Sequence, residues 1–312
     1  MIQIKIYDPS LKGEWDNFVS TSKNATFMLM RDFMDYHSHR FQDLSLLFYK
    51  ENKLQALLPA NMKDSILYSH QGLSYAGLLM GIKTTAAITL QIFEALVTFC
   101  KQRGINKIVY KAIPHIYHSQ AGEEDLYALF RNNAKLTIRA ISSCIYLEDR
   151  IRFAEIRRRC VKKALQNNLL VEEADDFSAY WKILSETLRT RHGVDPVHSL
   201  DEINLLKERF PDNIRLFQAK KGTEILAGVL VFEMKQIAHA QYISSNDSGR
   251  DQGALDIIFS HLIGNVYSDK KYFDFGISTE KQGIFLNEGL IAQKEGFGGR
   301  GVVYNTYEIL IS

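Results

Sequence analysis

Cysteine and proline are nearly missing, with three and five residues in a chain of 312. Cys100, Cys144 and Cys160 are odd in number and far apart. That spacing excludes a disulfide framework and a Cys-x-x-Cys metal site, and it suits a reducing cytoplasm. So little proline, with 46% hydrophobic and 24% charged residues, excludes a disordered or fibrous chain. An excess of one charge is also lacking. Lys plus Arg is 38 and Asp plus Glu is 36, and the resulting +2 gives no global reason to expect DNA or a membrane surface as partner. No apolar run is long enough for a bilayer: Thr84 to Cys100, the most apolar region, is broken by Gln91 and Glu94 and has helical periodicity. The opening residues, MIQIKIYDPS, meet an acid and a proline where a secretory core would stand, so they read as a strand. Neither a Gly-x-Ser-x-Gly pattern nor a P-loop occurs. His115 with His118, and His192 with His198, lack a third ligand at a usual spacing, and no metal is expected.

What is present is enough chain for two domains, each with its own core. From Leu205 on, a helix end is followed by three strand-like runs separated by KKGT and EMK, an antiparallel meander. A polar loop, SNDSGRD, leads to a helix from Gln252 to Tyr267 that puts Leu255, Ile258, Phe259, Leu262 and Val266 on one face. The short strand KYFDFG follows. The first half uses the same grammar, with short strands around a KEN turn. It continues with an amphipathic helix carrying Phe93, Leu96, Val97 and Cys100 on one side, and then the strand NKIVYKAIP. LLFYKENKLQALL resembles RLFQAKKGTEILAGVL at an offset of about 170 residues, as a duplicated unit would. Between the halves, a helix from about Phe153 to Asn168 carries the densest positive run, Arg157 and Arg158 among it. The reading is a mixed α/β (α+β) chain of two modules, 1–148 and 149–312.

Several stretches carry chemistry. In AQKEGFGGRGVVY, Lys294 precedes Gly296, Phe297, Gly298 and Gly299, whose glycines let backbone turn sharply while Phe297 plugs the turn into the core. A cation there is either a donor to a developing oxyanion or a cap on a helix C-terminus. Asp274, between Phe273 and Phe275, is an acid in an apolar setting; it orients or deprotonates an amine, or else bonds the Gly276 turn. GRDQGALD opens a helix whose bare N–H groups favour an anion, with Arg250, Gly253 and Ala254 as its contacts. The strand AHAQYISS alternates so that His239, Gln241 and Ile243 face one way and Ala240, Tyr242 and Ser244 the other. His239, Gln241 and Tyr242 are therefore candidates to line a cleft, with core packing as the alternative. The arginines of the basic helix match phosphate oxygens, or form a solvated face.

The order of meander, helix, strand, helix ending in GF and final strand resembles the GNAT fold of acyl transferases, with Asn287 and EGFGG as the local likeness. A doubled module carrying DFG and then Lys-x-Gly-Phe-Gly-Gly resembles the Fem family of aminoacyl and peptidyl transferases. This resemblance implies an N-acyltransferase with tandem GNAT modules and its site in the second. Lys294 would act on the oxyanion, Arg250, Gly253 and Ala254 on the coenzyme A pyrophosphate, and His239, Gln241, Tyr242, Asn287 and Phe297 on substrate. Arg157 and Arg158 would meet a nucleotide-linked acceptor, a sugar or a peptidoglycan precursor of the cell envelope. Where Fem enzymes have Phe-Lys this chain has Gln293-Lys294, and the long coiled-coil arm that some carry has no room here. Together with the near-neutral charge, this favours acyl-CoA over aminoacyl-tRNA as donor. The tyrosine acid of GNAT enzymes is replaced by Ala292, which leaves open a degenerate pair that only binds a ligand.

Overall fold

Alternating apolar runs closed by two-residue turns form hairpins, and the chain builds the same hairpin twice. The computed structural model describes residues 1–311, with His192 placed by its backbone alone. In the first unit, β1 (Ile2–Ile6) pairs antiparallel with β2 (Leu46–Lys50), and β2 with β3 (Lys53–Leu58). The turn is made by Glu51 and Asn52, both left-handed at φ 51° and 60°. Residues able to adopt positive φ match the twist of a tight hairpin. A bulge interrupts the register between Phe48 and Tyr49. Further on, β4 (Ile66–Tyr68) runs parallel to β5 (Lys107–Lys111), with helix α1 (Ala86–Gln102) between them in sequence. Thr85 caps α1 through its side chain. Its Phe93, Leu96 and Cys100 are buried against Phe48, Leu58 and Ile108, while Val97 is half-buried beside that stripe. Helix α2 (Glu124–Arg131) and strand β6 (Lys135–Tyr146) follow.

The second unit begins inside β6, at Ile141. Helix α3 (Glu155–Gln166) is the basic one; after it come β7 (Leu170–Ala174), α4 (Ser178–His192) and α5 (Leu200–Arg209). The meander is β8 (Ile214–Lys221), β9 (Glu224–Glu233) and β10 (Ile237–Ser245). Its first turn has Gly222 at φ 60°, and its bulge falls between Ala219 and Lys220, the position equivalent to that of the first hairpin. Two hairpins with the same turn length and the same bulge are what a duplicated unit would show. SNDSGRD is not a loop but mostly a short helix, α6 (Asp247–Gln252), because the Asn246 side chain accepts the Gly249 N–H at 2.7 Å. Gly253, at φ 76°, breaks it, and α7 (Ala254–His261) starts again. Its Ile258 and Phe259 are buried against Phe273 and Phe275 of β11 (Tyr272–Ile277). Helix α8 (Glu288–Gly296) precedes the last strand, β12 (Arg300–Leu310).

Strand order in the second unit is β7-β8-β9-β10-β11-β6, antiparallel except for the β10–β11 pair. From Val303 onward β12 belongs to the first unit, where it lies antiparallel to β5 with Tyr307 opposite Tyr110. Both the expected cut at 148/149 and the assignment of the C-terminus to the second module therefore differ from the observed units. The boundary lies within β6, and the chain returns to the first unit at its end. Among the described residues no helix is long and apolar enough to cross a membrane, and all three cysteines are free.

One buried pair ties β5 to α2. The Tyr110 hydroxyl accepts the Leu78 N–H at 2.6 Å and donates to Asp125 at 2.5 Å. Burial raises the Asp125 carboxyl to about 6, against the pull of the Tyr110 bond. A carboxyl whose folded value exceeds its unfolded one stabilises most when protonated, so its contribution is complete below pH 4 or so and is lost as pH rises through about 6. Tyr110→Phe should therefore destabilise by about 1–3 kcal/mol in urea unfolding, with a larger loss at pH 7 than at pH 4.

Candidate active site

A parallel strand pair that stops early leaves backbone donors and acceptors to be met by something else. Strands β10 and β11 pair only from Ile237–Tyr272 to His239–Asp274. Immediately beyond, β10 bulges: Ala240 faces Val231 and Tyr242 faces Leu230, so Gln241 is the extra residue. The bulge keeps β10 on β9, while β11 stays on β6, with Asp274 opposite Cys144 and Ile277 opposite Ser142. The two strands thus diverge and open a cleft.

Lys294 serves the backbone past the point of divergence. Its ammonium group donates to the carbonyls of Gly276 and Ile277, each at 2.8 Å, and the residue is 5% exposed. It does not cap its own helix. Phe297 N–H and Gly298 N–H already bond the Lys294 and Glu295 carbonyls at 3.1 and 2.8 Å. Gly298 sits at φ 94°, and a Cβ there would lie 2.6 Å from the Ile151 carbonyl oxygen, so the turn after α8 requires glycine. Phe297 anchors it among Phe153, Phe259 and Phe275, with ring centroids 5.1–5.8 Å apart. Burial pushes the Lys294 ammonium down to about 8, and the charge of Asp274 opposes the shift. At neutral pH it carries its proton. Two of its three N–H donors are committed, leaving one for the cavity of about 260 Å³ that Lys294 lines with Phe275, Phe297 and Ser244.

Beside it stands a second arrangement. Asp274 is fully buried; one carboxylate oxygen accepts from the Ser142 hydroxyl and the other lies 2.8 Å from His239 Nδ1. An Nδ1–H donated to that carboxylate would place the imidazole lone pair on Nε2. A second cavity, about 490 Å³, lies at the start of α7 and is lined by Arg157, Gly249, Arg250, Ala254 and Gln293 among others. The two cavities share Ser245, Arg250, Leu255 and Gln293.

Residues 152–281 match the family model described as the acetyltransferase (GNAT) domain. That span takes in most of the second unit. The whole chain is similar in fold to the crystal structure of FemX, with TM-score 0.68 and 11% identity over 99% of this chain and 97% of that one. It is also similar to the C-terminal DUF2156 domain of a putative lysylphosphatidylglycerol synthetase from Agrobacterium fabrum, at 0.62 and 12% over 98% and 93%. A tandem GNAT protein from the clavulanic acid biosynthesis pathway matches at 0.56 and 10% over 100% and 99%. No curated protein matches the sequence. The chain has a Fem-like tandem GNAT fold, and the match over residues 152–281 supports an acyltransferase of GNAT type.

Within the second unit the candidate residues separate into those that meet and those that do not. Lys294, Phe297 and Arg250 line the inner cavity, and Arg250, Ala254 and Arg157 the outer one. Gly253 is the hinge beneath: a Cβ there would lie 2.5 Å from the Cys160 carbonyl oxygen. Asp274 and His239 form one unit at the apex of the cleft, with Asp274 holding His239 rather than facing open space. Asn287 caps α8, accepting the Leu290 N–H at 3.0 Å. Arg158 projects into solvent, whereas Arg157 bonds Asp256 at 2.9 Å across Phe297. Arg250 is likewise paired, to Asp247 and the Ser245 carbonyl. Gln241 is the bulge residue and changes the alternation: His239 and Tyr242 share one face, Ala240 and Ile243 the other. Neither His239 nor Tyr242 lines either cavity, and the Tyr242 hydroxyl lies 2.6 Å from His198 Nδ1 with its ring edge-on to Trp181. Ser142, Ser244 and Asp256 were not expected from the sequence. Each acts through a residue distant along the chain or through the unmarked bulge.

The depressed ammonium makes a stability prediction with a definite sign. Between about pH 8 and pH 10.5 the unfolded lysine binds more protons than the folded one, so wild-type stability rises with pH in that window. Relative to Lys294→Met, the wild type should gain up to about 3 kcal/mol on going from pH 8 to pH 10.5, measured by urea unfolding.

Proposed function

We propose that the GNAT unit transfers an acyl group from an acyl-coenzyme A thioester to an amine, in the cleft between β10 and β11. The observation that carries this reading is the buried Lys294 ammonium, with one donor uncommitted, in the wall of a cavity that adjoins the start of α7. The thioester's phosphates would lie at the outer cavity near Gly249, Arg250 and Ala254, with the carbonyl reaching inward to Lys294. His239 Nε2 takes a proton from the amine as its nitrogen attacks the carbonyl carbon. The carbonyl oxygen gains negative charge and accepts the remaining Lys294 N–H. When the oxygen's electrons return, the C–S bond breaks and the sulfur leaves as thiolate, which titrates at about 8.5 and needs no tyrosine acid. A fixed donor to such an oxyanion is worth about 3–4 kcal/mol, and orientation supplies more. Asp274 is a positioning residue that fixes the imidazole's tautomer.

For the acceptor, the reading is an amine on a nucleotide-linked sugar or peptidoglycan precursor. Support comes from the outward face of α3, where Arg158, Lys162 and Lys163 project into solvent and offer an anionic substrate a favourable approach. The same face supports a second reading, an aminoacyl-tRNA donor, as does the likeness to FemX and to the lysylphosphatidylglycerol synthetase domain. The two separate by titration calorimetry. Saturable binding of acetyl-coenzyme A with weak salt dependence supports the first, and salt-steep binding of aminoacyl-tRNA alone supports the second. No binding and no turnover with either donor would leave a degenerate ligand-binding pair.

Two substitutions test the chemistry in an assay on amino-sugar nucleotides. Lys294→Met should lower kcat about tenfold or more, with donor KM little changed. His239→Gln should lower kcat by about a hundredfold. Asp274→Asn should reproduce much of that loss, because the amide offers its NH2 to Nδ1 and turns the tautomer around.

A further inference from the structure

The charges around the inner cavity are one-sided. Three of its lining residues are cations, Arg191, Lys294 and the Asp247-paired Arg250, and none is a carboxylate. Asp274, the acid whose field reaches Lys294, has one oxygen occupied by Ser142 and the other by His239. The rest of the wall is mostly apolar, with Leu184, Leu188, Leu255, Phe259 and Phe275 facing one another. In that wall the Ser244 hydroxyl is buried, at 3% residue exposure, without a hydrogen-bond partner. A buried hydroxyl left unpaired in the wall of a cavity is a group awaiting a ligand atom.

We infer that this cavity selects an acyl group with an apolar body and no positive charge, excluding one that bears an ammonium group. The inference rests on the thioester reading above and narrows it. An ammonium brought into the cavity would lie near the Lys294 charge in surroundings of low dielectric, with no anion to receive it. An uncharged chain of the same shape meets the leucines and phenylalanines, and a neighbouring polar atom meets Ser244. Arg191, at the exposed end, leaves a terminal carboxylate tolerated. An α-amino or β-amino acyl group would be selected against even if its carrier were held.

Butanoyl-coenzyme A and β-alanyl-coenzyme A provide the test, since they differ only by a terminal methyl against a terminal ammonium. Titration calorimetry with the full chain should give a dissociation constant about tenfold or more lower for the butanoyl thioester, with free coenzyme A as reference. Gln293→Glu, which places a carboxylate in the wall, should shrink that ratio to about threefold or less. Arg191→Glu, at an exposed position, provides the same test if the first variant is unstable. Ser244→Ala should weaken the butanoyl thioester but not free coenzyme A. Equal or tighter binding of the β-alanyl thioester by the wild type overturns the inference while leaving the donor reading intact. Failure of coenzyme A and both thioesters to bind overturns the donor reading, and this inference with it.

Discussion

An ammonium group set into an apolar wall is the constraint on which the second unit turns. An uncompensated charge at such a place costs several kcal/mol, so it persists only where backbone acceptors and an opposite charge receive it. Here the acceptors are the Gly276 and Ile277 carbonyls, and the opposite charge is Asp274. Those carbonyls lie past the end of the β10–β11 register, and that register is short because β10 bulges at Gln241. Gly298 and Phe297 then fix where α8 ends and so where its lysine stands. A bulge in one strand, an early end to a register and a glycine turn are three parts of one arrangement.

The first unit contains the same device in a closed form. Lys111 is half-buried at the end of β5, and desolvation lowers it to about 8, as it does Lys294. Its ammonium donates to three carbonyls, those of His70, Gln71 and Leu73, at 3.3, 3.1 and 2.6 Å. All three N–H groups are consumed, and the lysine fastens a loop to a strand. Lys294 differs by one donor. Equal depression of two lysines therefore accompanies different capacities, and the count of committed protons separates them better than the pKa does.

Much of this architecture is legible in the sequence because it follows from periodicity and turn chemistry. The two hairpins are marked by KEN and KKGT, and α1 and α7 by apolar residues on one helical face. Lys294 stands out because glycines crowd behind it, and Asp274 because two phenylalanines flank it. What is not legible depends on pairing across long separations or on local exceptions. Nothing in AHAQYISS marks Gln241 as a bulge, so simple alternation misassigns Tyr242, which turns out to bond His198. The polar run SNDSGRD hides a helix six residues long that its Asn246 cap initiates. Arg157 reads as a phosphate ligand, and nothing in the sequence marks Asp256, 99 residues on, as its partner.

The return of the chain's last strand to the first unit bears on how the protein is made. β5 acquires its β12 neighbour only from residues beyond Val303. On a ribosome, where the N-terminal part emerges first, that edge must wait, its backbone groups open to water or to a chaperone, until the residues after Val303 have been made. The amino-terminal half is therefore the earlier to be translated and the later to be completed.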